Sequence, residues 1–150
     1  MNDIRTRSFI AKLSCTTDDY EGPVGFSDSH LHAQAGWLIL GPDGESLPLR
    51  FEYIEHTDSR IHYNIYSATP NVFNSATLGV SLNGYLGLYT LAQVRDFWKA
   101  EPLGEWVEGA DIDFILRDHL GQRVGIHNDT YLTVGVRPVA KLRAKILKVL

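Results

Sequence analysis

The side chains best suited to chemistry in this sequence are aromatic rings that lie close to asparagine and aspartate residues in turn-like segments. A carboxylate or amide can hold the vicinal hydroxyls of a sugar, while a flat aromatic ring covers the apolar face of the sugar. This pairing predicts carbohydrate binding, with Trp37 and Trp98 as stacking surfaces. The candidate ligand-binding residues are Asp28, His30, Trp37, Asn83, Tyr85, Trp98, Asn128, Asp129 and Tyr131.

These residues also have a purely structural interpretation. Asn, Asp and Gly supply the backbone conformations that β-turns require, and a tyrosine beside a leucine can belong to a core layer. Loops on a rigid scaffold nevertheless carry function more often than cores do. We therefore keep the binding hypothesis for the turns.

A second candidate is the pair His30 and His32, which would place two imidazoles on one side of a strand, as a metal site requires. The pattern is similar to that of cupins, in which a glycine precedes His-x-His and a glutamate follows. Here the spacing from Gly25 is one residue short, and Gly36 or Trp37 stands where the glutamate is expected. Two ligands without a third do not make a zinc site. The sequence therefore predicts no metal and no other cofactor, with a cupin-like enzyme as the remote alternative.

Other catalytic patterns are missing from the sequence. Cys15 is the single cysteine, and no nucleophile signature such as G-x-S-x-G occurs. The carboxylates are scattered through turn-like segments, with no spacing that pairs two of them across a cleft. The glycines near residue 80 are not followed by the Lys-Ser/Thr of a phosphate loop. We expect a binding protein rather than an enzyme.

Composition and charge limit the number of domains and the kinds of ligand that this protein can have. The chain has 150 residues, 44% of them hydrophobic, and a net charge of −4, which suits one domain over residues 1–150 and disfavours binding nucleic acid by neutralising phosphates. Basic residues are nevertheless concentrated near the end, in Lys141, Arg143, Lys145 and Lys148. No signal peptide and no run of roughly 20 apolar residues occur, so we expect a cytoplasmic protein without a membrane span.

The main organising feature is a segment that occurs three times in altered form. Leu78–Leu88 (LGVSLNGYLGL) alternates apolar residues around Asn83-Gly84, which predicts a hairpin with a type I′ turn. Val24–Ala33 (VGFSDSHLHA) and Val124–Val134 (VGIHNDTYLTV) share the order of apolar residue, glycine, polar turn, then Tyr or His beside Leu. The matched glycines are Gly25, Gly79 and Gly125, and the matched leucines are Leu31, Leu86 and Leu132. The period of about 50 residues predicts three structural units.

Two segments are less regular than the rest. Thr90–Ala100 begins with a capping box and has four apolar residues on one helical face, which predicts one short helix near residues 91–100. These residues are Leu91, Val94, Phe97 and Trp98. Val139–Leu150 alternates like a strand with a phase slip near Leu147, and a basic amphipathic helix is its alternative. The repeat favours the strand.

With about twelve short strands in three units, the sequence resembles the β-trefoil superfamily, closest to its lectin-like and fascin-like members. The resemblance rests on the three hairpin segments, each preceded by a strand (Phe9–Ser14, Ile61–Ser67 and Ile112–Arg117). It implies an all-β trefoil with repeats over roughly 7–55, 56–110 and 111–150. The ricin-type Gln-x-Trp motif is missing from all three copies. An irregular β-sandwich or another barrel is the alternative fold.

The resemblance implies a lectin-like module whose partners are glycans or glycoproteins. Because β-trefoils also include protease inhibitors, the alternative function is a protease inhibitor or protein-interaction module that presents one long loop to a protein partner. The candidate loops are Thr16–Pro23, Gly41–Pro48 and Ala68–Ala76. The apolar strands could support a homodimer, which the sequence does not decide.

Overall fold

The structure is a computed structural model that describes residues 3–26, 37–40, 46, 48–68, 76–89 and 97–150. Strands make up 61% of it, and the described residues contain no helix, so the all-β prediction is confirmed. The twelve strands are β1 (Phe9–Cys15), β2 (Gly22–Phe26), β3 (Leu38–Leu40), β4 (Leu49–His56), β5 (Ile61–Ser67), β6 (Thr77–Val80), β7 (Leu86–Tyr89), β8 (Trp98–Pro102), β9 (Ile112–Arg117), β10 (Val124–His127), β11 (Tyr131–Val134) and β12 (Lys141–Val149).

Six of the strands close into a barrel. All the pairs are antiparallel: β1 with β4, β4 with β5, β5 with β8, β8 with β9, and β9 with β12. Strand β12 then pairs with β1 and completes the ring. Closure leaves none of these six strands with an unpaired edge, and an unpaired edge would be a site for aggregation.

The other six strands form three hairpins, β2–β3, β6–β7 and β10–β11. The hairpins touch one another in a cyclic order. Trp37 bridges to Gly87 of the second hairpin, Tyr85 bridges to Thr133 of the third, and Tyr131 pairs with Ile39 of the first. In each case the residue at the start of one hairpin's second strand pairs with a residue two positions after the start of the next hairpin's second strand. The contacts between the three hairpins are therefore equivalent.

The barrel interior is filled by large apolar side chains. Phe9 stacks on Phe51 with ring centroids 4.8 Å apart, and the edges of Tyr63 and Trp106 meet the Phe9 ring. Trp98 is fully buried and donates its indole N–H to the Leu78 carbonyl at 3.0 Å. The core therefore satisfies the polar atom of its largest ring, as a buried tryptophan requires.

The C-terminal segment is a strand, as the repeat favoured. In β12, Leu142 and Ala144 are buried, while Lys141, Arg143 and Lys145 are exposed. Ile10 pairs with Lys148 but Ala11 pairs with Ile146, so Leu147 is the extra residue of a β-bulge. A bulge shifts the inside–outside alternation by one residue, which is the phase slip seen in the sequence.

The helix predicted near residues 91–100 is not found in its described part. Residues 98–100 belong to strand β8, which pairs with β5 and β9; residues 90–96 lie outside the described residues. Trp98 and Ala100 alternate as buried residues with Lys99 between them. The helical periodicity was wrong here because the pairing partners of a short segment are distant in sequence.

Two hairpin predictions also need correction. In β6–β7 the Gly84 N–H donates to the Ser81 carbonyl at 3.0 Å, so Leu82 and Asn83 are the central turn residues. Only Gly84 then has positive φ, at 88°, and the turn is not the type I′ predicted from Asn83-Gly84.

In the first hairpin the strand that pairs with β2 is Leu38–Leu40; the segment around Leu31, which the sequence comparison matches to this strand, lies outside the described residues. Trp37 and Leu38 therefore occupy the positions of Tyr85-Leu86 and Tyr131-Leu132, which the sequence comparison gave to His30 and Leu31. Leu38, Leu86 and Leu132 are all at most 1% exposed.

We expect Gly125→Ala to lower the free energy of unfolding by about 2–3 kcal/mol, because added atoms in a packed interior cause strain. A Cβ at Gly125 would lie 2.0 Å from the Val136 carbonyl oxygen and 2.8 Å from that of Pro138, and neither is a flexible side chain. Urea denaturation measures the loss. Gly104→Ala is the matched control, since nothing lies within 4 Å of its Cβ position. Equal stability of the two variants would contradict the packing argument.

We expect Tyr63→Phe to raise the free energy of unfolding by about 1 kcal/mol. Tyr63 is 0% exposed, and its hydroxyl has no hydrogen-bond partner among the described residues. Burial raises the pKa of Tyr63 well above its usual value, so the group stays a neutral, unsatisfied hydroxyl. Thermal and urea unfolding would be compared with Tyr66→Phe, a half-buried tyrosine on the same strand. Marked destabilisation by Tyr63→Phe alone would show that the hydroxyl is satisfied.

Candidate functional site

The loop between β1 and β2 is held by backbone contacts to the start of β12. The Thr16 N–H donates to the Lys141 carbonyl at 2.8 Å. The Thr17 hydroxyl accepts a hydrogen bond from the Lys141 N–H at 2.8 Å and donates to the Val139 carbonyl at 2.9 Å. Because the loop is fixed at its first residues, Tyr20 projects from a defined position.

The turn between β10 and β11 is tight and conformationally restricted. Asn128 and Asp129 both have positive φ, 50° and 58°, and the Thr130 N–H donates to the His127 carbonyl at 3.1 Å. This is the two-residue geometry expected of a type I′ turn, and Asn and Asp tolerate it better than other residues with a Cβ. The turn exposes both side chains.

These two segments meet at a cleft. The Tyr20 hydroxyl donates to the Asp129 carboxylate Oδ1 at 2.8 Å, across 109 residues of sequence. The cleft has a volume of about 620 Å³ and is lined by Asp19, Tyr20, Glu21, Gly22, Pro23, Leu40 and Asp129. The hydrogen bond from Tyr20 to Asp129, reinforced by that negative charge, raises the pKa of the Tyr20 hydroxyl.

The cleft combines the two elements that sugar recognition needs. The Tyr20 ring, Pro23 and Leu40 supply apolar surface, and Asp129, Glu21 and Asp19 supply hydrogen-bond acceptors. A carboxylate has about four acceptor positions, so Asp129 can receive further hydroxyl donors beside Tyr20. Exposed carboxylates near an aromatic ring suit a ligand rich in hydroxyl groups.

The structure brings three predicted aromatic residues together at a different place. Trp37 stacks on Tyr85 with centroids 4.6 Å apart and an interplanar angle of 13°. Tyr131 meets both rings edge-on, at 5.7 Å from Trp37 and 5.4 Å from Tyr85. We call these three residues the aromatic triad. Because its rings cover one another, the triad is a single cluster rather than three free stacking surfaces.

The remaining predicted binding residues lie in different parts of the structure or outside its described residues. Trp98 is 0% exposed, which corrects its prediction as a stacking surface, since its ring lies in the barrel core. Asn83 is exposed in the β6–β7 turn, and Asn128 lies beside Asp129. Asp28 and His30 lie outside the described residues, as does His32.

Sequence reasoning missed Tyr20, which forms the other side of the cleft. From the sequence, the acidic segment Asp18-Asp19-Tyr20-Glu21 is predicted only to be part of a loop that could meet a protein partner. An aromatic residue among acidic residues just before the first hairpin is the signal that was available. Its partner Asp129 could not be inferred, because the closure of the barrel brings them together.

The described residues contain no group of three or more His, Cys, Asp or Glu side chains that could hold a metal ion. Over the same part of the chain, no helix has the length and apolar character needed to cross a bilayer.

Comparisons with protein-family models, with curated proteins and with solved structures give no significant match.

We expect Tyr20 to ionise above the ordinary tyrosine pKa of about 10 and Asp129→Asn to return it toward that value, because the carboxylate stabilises the protonated hydroxyl. The folded state then holds the proton more tightly than the unfolded state, so stability falls as pH rises from about 10 through the raised pKa. Carbon-13 tyrosine NMR, with the Tyr20 resonance assigned through Tyr20→Phe, measures the titration. An unchanged Tyr20 titration in Asp129→Asn would show that the bond does not form in solution.

Proposed function

We propose that this chain is a β-trefoil that binds carbohydrate without catalysis, and that its principal site is the cleft between Tyr20 and Asp129. The observation that carries the proposal is the juxtaposition in that cleft of an aromatic ring with three carboxylates. Glycans or the glycan chains of glycoproteins are the corresponding partners.

The contacts between the hairpins support the trefoil assignment. A trefoil is a six-stranded barrel capped by three hairpins, one from each repeat. The cyclic bridges from Trp37 to Gly87, Tyr85 to Thr133 and Tyr131 to Ile39 follow this threefold order. The assignment also accounts for the period of about 50 residues in the sequence.

The charge of the cleft supports a particular class of sugar. Asp19, Glu21 and Asp129 line it, and no lysine or arginine does so within the described residues. Like charges disfavour binding of an anionic ligand. We therefore expect neutral hexoses or amino sugars to bind, and sialylated or sulfated glycans to be rejected.

Asp129→Asn is the most informative variant for this site. An alanine at Asp129 would add strain, because its φ of 58° lies in a region that alanine rarely adopts. Asparagine tolerates that conformation and keeps the shape of the side chain while it removes the charge. A loss of binding in Asp129→Asn then reports on the carboxylate and not on the turn.

We expect the full chain to bind a coherent group of neutral or amino-sugar glycans on an array. Asp129→Asn should weaken that binding about tenfold or more, since hydrogen bonds to a charged group contribute about 1.5–3 kcal/mol. Tyr20→Ala should weaken it similarly through loss of the apolar face. Isothermal titration with the best glycan gives the dissociation constants, and thermal unfolding gives the stability of each variant.

Asp58→Asn is the matched control, because Asp58 is an exposed aspartate in the β4–β5 turn, outside the cleft. Its affinity should equal that of the wild type. A blank array, or equal affinity in wild type and Asp129→Asn, would overturn the assignment of the cleft.

A further inference from the structure

A row of basic side chains covers the outer face of β1 and β12. Lys12 lies on β1, and Lys141, Arg143, Lys145 and Lys148 lie on β12; all five are exposed. We call these five residues the basic strip. Successive outward residues of a strand are about 6.6 Å apart, so the strip is a narrow line of positive charge on a chain whose net charge is −4.

The strip contains a like-charge pair that the fold does not compensate. Lys12 and Lys145 are directly opposite in the register of β1 and β12, and like charges in that position destabilise a sheet. Among the described residues, none of the four lysines forms an ion pair. Arg143 does, with its Nε 2.8 Å from Asp113 Oδ1. The lysines therefore remain available to an external anion.

Acidic residues border the basic strip on one side. Asp113 pairs with Arg143, Asp111 acts electrostatically on the same guanidinium, and the loop Glu108–Asp111 faces Lys145–Val149 across a groove of about 370 Å³. A ligand that extended over this flank would meet negative charge. The surface therefore suits a partner about one strand wide.

Apolar side chains lie at the end of the strip. Leu147 is 47% exposed and Leu150 is 37% exposed, and Leu147 projects from the β-bulge next to Lys148. A partner that carries both anionic and apolar groups would contact the whole surface.

We propose that the basic strip docks an extended acidic segment of a partner protein, with carboxylates on the lysines and apolar residues on Leu147 and Leu150. Alternate side chains of an extended peptide share one side at the same spacing of about 6.6 Å as Lys141, Arg143 and Lys145 of β12, which precede the bulge. The peptide lies over the sheet face, because both edges of β12 are already paired with β1 and β9. This site is separate in its chemistry from the anionic cleft.

The same observations disfavour other anionic partners. A bilayer or a nucleic acid duplex presents charge over a wide face and would press on the acidic flank formed by Asp111 and Asp113. A single-stranded nucleic acid needs aromatic platforms, and the outward positions Ile10, Lys12 and Ser14 of β1 carry none. A sulfated polysaccharide would leave Leu147 and Leu150 without apolar contacts.

The probe is a fluorescein-labelled peptide of alternating glutamate and serine that ends in two leucines, with fluorescence anisotropy as the readout. We expect the full chain to bind it, with affinity falling as salt rises. Lys145→Glu should weaken binding about tenfold or more through charge repulsion. The same change creates an opposite-charge pair with Lys12, but the new carboxylate also faces the acidic loop Glu108–Asp111 across the groove, so thermal unfolding is measured beside binding to show that the variant is folded. Arg123→Glu, which alters an exposed arginine elsewhere by the same charge, should bind like the wild type.

The peptide is compared with heparin and with phosphatidylserine vesicles in the same assay. The proposal is supported if the chain binds the peptide more strongly than it binds heparin or the vesicles. Peptide binding should also be lost in Lys145→Glu and kept in Asp129→Asn. No binding of the peptide, equal loss in Arg123→Glu and Lys145→Glu, or strip-dependent binding of heparin or vesicles in its place would overturn it. Glycan binding by the cleft is measured separately, so either proposal can fail alone.

Discussion

Strands β1 and β12 come from opposite ends of the chain, and their pairing from Phe9 with Val149 to Cys15 with Leu142 closes the six-stranded barrel. The same pairing brings the loop after β1 to the start of β12, where the Thr17 hydroxyl bonds to the backbone of Val139 and Lys141. It also aligns Lys12 with Lys145. Three features thus depend on one set of backbone hydrogen bonds between β1 and β12: the closure of the barrel, the position of Tyr20 and the basic strip. Disruption of this pairing would alter all three.

The ring of hairpins shows how an approximate repeat tolerates different side chains. Ile39, Gly87 and Thr133 occupy equivalent bridge positions, and a Cβ at Gly87 would lie only 3.1 Å from Trp37 Cδ1. The indole of Trp37 is larger than the phenol rings of Tyr85 and Tyr131, and the glycine gives it room to stack on Tyr85 at 4.6 Å. The three hairpins keep their backbone contacts and buried leucines, while the side chains at the bridge positions vary.

Two surfaces of opposite charge arise on this scaffold. The cleft carries Asp19, Glu21 and Asp129 beside the Tyr20 ring, whereas the basic strip carries lysines without ion pairs in the described residues. In a chain with a net charge of −4, such separation of charge would favour a different class of ligand at each of the two proposed sites, because electrostatic complementarity mainly sets specificity. A hydroxyl-rich sugar suits the first surface, and an acidic peptide suits the second.

The sequence by itself determined the all-β class, the last strand, Lys141–Val149, and its phase slip at Leu147, since these follow from local alternation. It also identified the turn that contains Asp129. Only the tertiary structure paired Asp129 with Tyr20. It also gave Trp37, and not His30, the position equivalent to Tyr85. Finally, it placed Trp98 in the core and made residues 98–100 a strand. Each of these depends on which distant strands pair, and the free energy of long-range pairing is not encoded in the neighbouring residues alone.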